Sequence, residues 1–252
     1  MKTIRSTVTL LLSLFLILSS TVHSAQADAK VYLDITASGS RKISMAVPWF
    51  SDTAQPGASQ ALGRELAGTL EKALEFHGII SIIPNQSYSG SSSPDWKQVG
   101  ADYTILGSYT LSPAGINFEM RLLDVASGDM ILGKKYTGTT GQKQEILFRF
   151  CDSVIKELTG EQGIASSQIA FIADNTGAKE AYLTNILGDK TKQITRHRNL
   201  VISPRFTPDG QSLSYTSYHK GNQNLYITNL NQSTSTQLLS GKKGMNLGPA
   251  WS

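Results

Sequence analysis

The sequence has a single cysteine, Cys151, and four histidines in 252 residues. One thiol cannot close an intramolecular disulfide. Cys151 falls at an apolar position of an expected helix, which makes it a buried, inert thiol. Of the histidines, His77, His197 and His219 lie far apart in sequence, with none at the i, i+3 or i+4 spacing of an HExxH or compact imidazole site. His77 stands at an expected helix C-terminus, where an imidazole suits the helix dipole. No G-x-S-x-G nucleophile elbow occurs. Gly128–Lys134 matches the opening of a phosphate loop, but Lys135 stands where Ser or Thr should hold the metal. The match also falls on an expected hairpin instead of a strand-to-helix turn. The chain is therefore expected not to be an enzyme, and to use no cofactor and no metal. Charge of one sign is not concentrated anywhere, and no basic helix with interleaved aromatics appears, so no nucleic-acid partner is expected. The three tryptophans, Trp49, Trp96 and Trp251, are expected to supply packing.

Long apolar runs are also missing. The longest is Val8–Leu18, about 11 residues where a spanning helix needs roughly 20. With Lys2 and Arg5 before it and Ala25-Gln26-Ala27 after it, residues 1–27 read as a cleaved export signal, which predicts a periplasmic product starting at Asp28. No cysteine near the cleavage point offers a lipid anchor. Two of the 23 basic residues belong to this segment, leaving 21 against 19 acidic ones, a net charge of +2.

Residues 28–163 alternate strand and helix signals. Val31–Ile35 and Ile43–Phe50 read as extended, and Ser51–Gly57 as a polar loop. Leu62, Leu66, Leu70 and Leu74 recur every four residues and predict a helix over Gln60–His77, stopped by Gly78. Ile79–Ile83 reads as a short strand and Asn85–Pro94 as a loop. Tyr103–Leu111, Asn117–Val125 and Met130–Tyr136 read as an antiparallel meander. Ile146, Phe150, Val154 and Leu158 mark a second helix over Gln142–Leu158. Together these elements predict an α+β domain.

From residue 164 the pattern changes to short strands, and the sequence repeats itself. Ile169-Ala-Phe-Ile, Ala181-Tyr-Leu-Thr-Asn and Gln193-Ile-Thr recur 44 residues later as Leu213-Ser-Tyr-Thr, Leu225-Tyr-Ile-Thr-Asn and Gln237-Leu-Leu. Gly177 maps onto Gly221. Ser203-Pro-Arg-Phe-Thr matches Gly248-Pro-Ala-Trp-Ser. A period of about 40–45 residues holding four short strands predicts β-propeller blades. Residues 164–252 would supply one whole blade and two partial ones, with Gly248–Trp251 as the inner strand of the third. A closed ring takes typically four to eight blades, so the propeller is expected to be incomplete, with further blades beyond Ser252.

The export signal, the α+β domain ending Glu157-Leu-Thr-Gly160, and blades carrying Gln168-Ile-Ala-Phe-Ile and Ser203-Pro-Arg-Phe-Thr-Pro-Asp-Gly210 together resemble the TolB family of the periplasmic Tol-Pal envelope system. The resemblance implies a protein-binding scaffold that links TolA to the peptidoglycan-associated lipoprotein Pal, and so supports outer-membrane integrity and cell division. It implies outer-membrane association through Pal alone. The TolA-binding tail would be Asp28, Ala29, Lys30, Val31, Tyr32, Leu33 and Asp34, a strand-forming segment able to add to a sheet edge. The Pal-facing loops would be His197–Ile202 and Gly244–Gly248, with Asn199, Met245, Asn246 and Gly248 as candidate contacts. Two alternatives stay open. One is the propeller portion of a prolyl-oligopeptidase-like serine peptidase with its catalytic domain beyond residue 252. The other is a carbohydrate-binding propeller, though the two loops lack the aromatic platforms it should carry.

Overall fold

The computed structural model describes residues 41–56, 60–88, 94–231 and 236–251. The expected export signal and Asp28–Asp34 tail lie outside these residues.

The first layer is a six-stranded sheet. Its strands are β1 (Ile43–Ala46), β2 (Ser51–Asp52), β3 (Ile80–Ile82), β4 (Tyr103–Ser112), β5 (Gly115–Asp124) and β6 (Met130–Gly138). They run in the order β3-β1-β4-β5-β6, with β2 paired to β4. β1 is parallel to β3 and β4, whereas β4, β5 and β6 form the antiparallel meander. In β5 the residues alternate in a strict period of two. Ile116, Phe118, Met120 and Leu122 are buried, and Asn117 and Arg121 are exposed. Such alternation marks a sheet with one face packed and the other solvated.

Two helices cover the packed face, α1 (Ala61–Glu75) and α3 (Lys143–Thr159). The leucine stripe of α1 points inward at Leu66, Leu70 and Leu74, with Leu62 half-buried. α3 buries Ile146, Leu147, Phe150, Cys151, Val154 and Ile155. Burying each large apolar side chain contributes about 1.5–3 kcal/mol, so these two stripes dominate the layer's stability. Phe50 sits between them and the sheet. A Cβ on Gly107 of β4 would lie 2.5 Å from the Phe50 ring, so only glycine lets the ring settle there. Burial pushes the Cys151 thiol well above its ordinary range, with Asp152 beside it adding to the effect. Cys151 is buried, as expected.

Three details differ from the sequence reading. The run Ile43–Phe50 forms a ladder only as far as Ala46, because Pro48 has no N–H to donate and turns the chain. The strand resumes at Ser51–Asp52, inside the expected loop. A short helix, α2 (Trp96–Val99), is capped by the Asp95 carboxylate, which accepts from Lys97 N and Gln98 N at 3.1 and 3.3 Å. Trp96 packs edge-on to Tyr88 at 5.3 Å.

After α3 the chain turns at Gly160, whose N–H donates to Lys156 O at 2.8 Å in a left-handed C-cap. The segment that follows is pinned from two sides. The buried Asp152 carboxylate accepts from Ala165 N at 2.6 Å and Ser166 N at 3.0 Å. His77 places one ring nitrogen 2.9 Å from Ala73 O, and its Nε2 accepts from Ile164 N at 3.1 Å. The one histidine at a helix end thus ties α1 to the exit segment.

The remaining strands form two twisted antiparallel sheets. One has three strands, β7 (Gln168–Ala173), β8 (Glu180–Asn185) and β9 (Lys192–Gln193). The other has four, β10 (Val201–Phe206), β11 (Ser212–Ser217), β12 (Asn224–Asn229) and β13 (Thr236–Ser240). β7, β8 and β9 begin 44 residues before β11, β12 and β13, the offset read from the sequence. The four-stranded sheet is one complete blade. The three-stranded one lacks an inner strand, so the propeller is incomplete. Ala181, Val201, Leu213, Tyr215 and Tyr226 form a core between the two sheets. The expected inner strand of a third blade is not a strand here: residues 245–251 carry no ladder. Their backbone has no neighbouring strand to pair with, and they are held by side chains instead.

Candidate functional site

The two loops expected to face a partner flank one hairpin. The β11–β12 turn, Tyr218–Gln223, lies between them, and an asparagine ties each loop to one end of it. Asn199 Nδ2 donates to Tyr218 O at 3.0 Å, and its Oδ1 accepts from Leu200 N at 2.7 Å. Asn246 Nδ2 donates to Lys242 O at 2.9 Å and to Gln223 O at 3.2 Å, while its Oδ1 accepts from Ser240 Oγ at 3.0 Å. With their amides committed in this way, the two asparagines shape the loops. Gly248 does the same through its N–H, which donates to Thr216 Oγ1 at 3.3 Å. Trp251 Nε1 donates to Ser214 Oγ at 3.1 Å, fastening the end of the loop to β11. Asn199 is exposed but its amide is held by the turn, whereas Met245 presents an apolar side chain outward, at 75% exposure, and Leu247 beside it is 44% exposed.

Loop 197–202 has a built interior that the sequence did not reveal. The buried Glu180 carboxylate accepts from Thr195 Oγ1 at 2.5 Å and from Arg198 N at 2.6 Å. Arg198 is one of two non-glycine residues with a left-handed backbone among the described residues, φ 54°. Between these contacts His197 turns inward and places Nδ1 2.6 Å from Ser217 Oγ. Its ring lies 4.6 Å from that of exposed His219 and 5.6 Å, edge-on, from Tyr226. Burial holds His197 below the usual imidazole range, His219 adds to this, and Glu180 opposes it. The histidines are 22 positions apart, so no helical spacing rule could pair them. The cue lies in the hairpin register: Val201 of β10 faces Ser217 of β11, which brings the residue four before one strand to the residue two after the other.

Among the described residues no group of three or more His, Cys, Asp and Glu side chains could hold a metal. The segment resembling a phosphate loop is the β5–β6 hairpin, whose turn is built by Asp124 Oδ1 accepting from Ala126 N and Ser127 N. No helix among the described residues is long and apolar enough to cross a membrane.

Family models match both parts of the chain: the TolB amino-terminal domain over residues 31–131 and the TolB β-propeller domain over residues 155–252. The chain belongs to the TolB family. The Tol-Pal system protein TolB of Desulfotalea psychrophila is 52% identical over 96% of the chain. That of Desulfosudis oleivorans is 35% identical, also over 96%. The chain spans about half the length of these curated relatives, 55% and 56% respectively. The crystal structure of TolB from Acinetobacter baumannii shares the fold with a TM-score of 0.68 at 20% identity, covering 82% of this chain and 51% of that one. TolB membership accounts for the order of the parts, an α+β layer followed by blades.

Proposed function

We propose that the chain is part of a periplasmic, non-catalytic TolB scaffold of the Tol-Pal system, binding Pal at its propeller loops and TolA through Asp28–Asp34. By linking the two it supports outer-membrane integrity and cell division. We divide it into an export signal over residues 1–27, an α+β domain over 28–163 and propeller blades over 164–252. The observation that carries the Pal assignment is the pairing of a rigid frame with a free apolar tip. Asn246 fixes loop 244–248 from inside, and Met245 and Leu247 remain exposed on it. Interfaces concentrate their binding energy in such preorganised apolar contacts.

The test uses the gene's complete product with purified Pal and TolA. Met245→Glu should weaken Pal capture at least tenfold and leave TolA capture unchanged. Deleting Asp28–Asp34 should do the reverse. Pal capture that survives Met245→Glu would remove this loop from the interface.

A further inference from the structure

His197 and His219 form a close imidazole pair, with ring centroids 4.6 Å apart and planes tilted by 39°. The pair closes the base of loop 196–202 against the β11–β12 turn. The pair cannot carry two charges without loss, because two imidazolium ions at that distance repel, and more strongly where one is half-buried. The groups around His197 are few. From β8 comes the Glu180 carboxylate, from β11 the Tyr215 hydroxyl, 3.5 Å from Nε2, and Ser217 Oγ. From β12 comes the Tyr226 ring, and from the turn His219, followed in sequence by Lys220. Arg196 and Arg198 flank it in its own loop.

Glu180 is the only carboxylate among these groups, and its two oxygens already serve Thr195 Oγ1 and Arg198 N. A proton on His197 would draw that carboxylate away from the Arg198 amide. Arg198 would then lose the contact that stabilises its left-handed backbone, which most residues adopt only at a cost.

We propose that the His197–His219 pair is a proton-operated latch: at neutral pH it holds loop 196–202 in place, and protonation in mildly acidic solution releases the loop. Where the loop faces Pal, as argued above, the latch would make that contact pH-dependent. The latch itself rests only on the imidazole pair and Glu180.

Amide hydrogen exchange on the full chain at pH 7.5 and pH 5.5, corrected for the intrinsic rate, tests it. Protection of Arg198, Leu200 and Val201 should fall about tenfold or more at the lower pH, while Tyr215 and Tyr226 in the β11–β12 ladder keep theirs. His219→Gln and His197→Gln should each remove most of that fall, and His219→Lys should loosen the loop already at pH 7.5. Equal protection at both pH values would overturn the latch, as would an undiminished fall in both glutamine variants. If the loop loosens as described while Pal capture by the complete protein stays constant with pH, loop 196–202 lies outside the Pal interface and the latch stands; failure of the Pal reading itself is read separately, from Met245→Glu.

Discussion

Ser203 and Gly248, 45 residues apart, hold the same left-handed backbone, with φ of 55° and 61°. Each precedes a proline, Pro204 and Pro249, and each stands at the same place in the blade repeat. At Ser203 the conformation breaks the β10–β11 register between Ile202 and Arg205, a bulge that re-aims the strand next to a residue with no N–H for the ladder. The second copy has the residue suited to that backbone, and the first does not.

Ser203→Gly should therefore stabilise the chain by about 0.5–1 kcal/mol. Relief of the left-handed strain outweighs the extra chain entropy that glycine loses on folding. Gly248→Ala should destabilise by about 1 kcal/mol. Urea midpoints at constant slope would check both, and a lower midpoint for Ser203→Gly would contradict the strain argument.

The contrast between Asn246 and Met245 predicts a separation of stability from binding. Asn246→Ala removes an amide that serves the backbone of Lys242 and Gln223 and the hydroxyl of Ser240. It should cost about 1–3 kcal/mol, the range for stranding part-buried polar partners. Met245→Ser alters an exposed tip and should stay within about 0.5 kcal/mol of the parent. Thermal denaturation distinguishes the two.

Asp152 is the single buried carboxylate on α3, and it accepts two backbone N–H groups from the exit segment. Asp152→Ala leaves both donors without their partner and should cost about 3 kcal/mol. Asp152→Asn keeps the shape and one acceptor oxygen and should cost less. Limited proteolysis would place the new cleavage near Gly163–Ser167, and cleavage confined to the blades would argue against this role.

Stability should also follow the titration of His197. Its folded value lies below the ordinary 6.5 because burial and His219 disfavour the cation, so the unfolded chain binds the proton more readily. The stabilisation is thus complete above the unfolded value and is lost as pH falls through the window below about 6.5. Melting temperatures from pH 8 to pH 5 should decline less steeply in His197→Gln than in the parent. Parallel curves would exclude a contribution from this residue.

Much of the architecture was legible because it depends on local periodicity. The four-residue spacing of leucines fixed α1, since 3.6 residues per turn put Leu66, Leu70 and Leu74 on one face. The alternation in β5 fixed its inward side. The 44-residue repeat located six blade strands, because equal segments that bury equal faces must recur at equal spacing. What the sequence could not determine was set by contacts between residues remote in the chain. Whether Gly248–Trp251 forms a strand depends on a neighbour to share its hydrogen bonds, which no local pattern encodes. Asn199 and Asn246 look like surface contacts in a polar loop, but their amides are directed into the backbone at Tyr218 and Gln223. The pairing of His197 with His219 arises only when β10 and β11 align, because hairpin register and not sequence spacing decides which side chains meet.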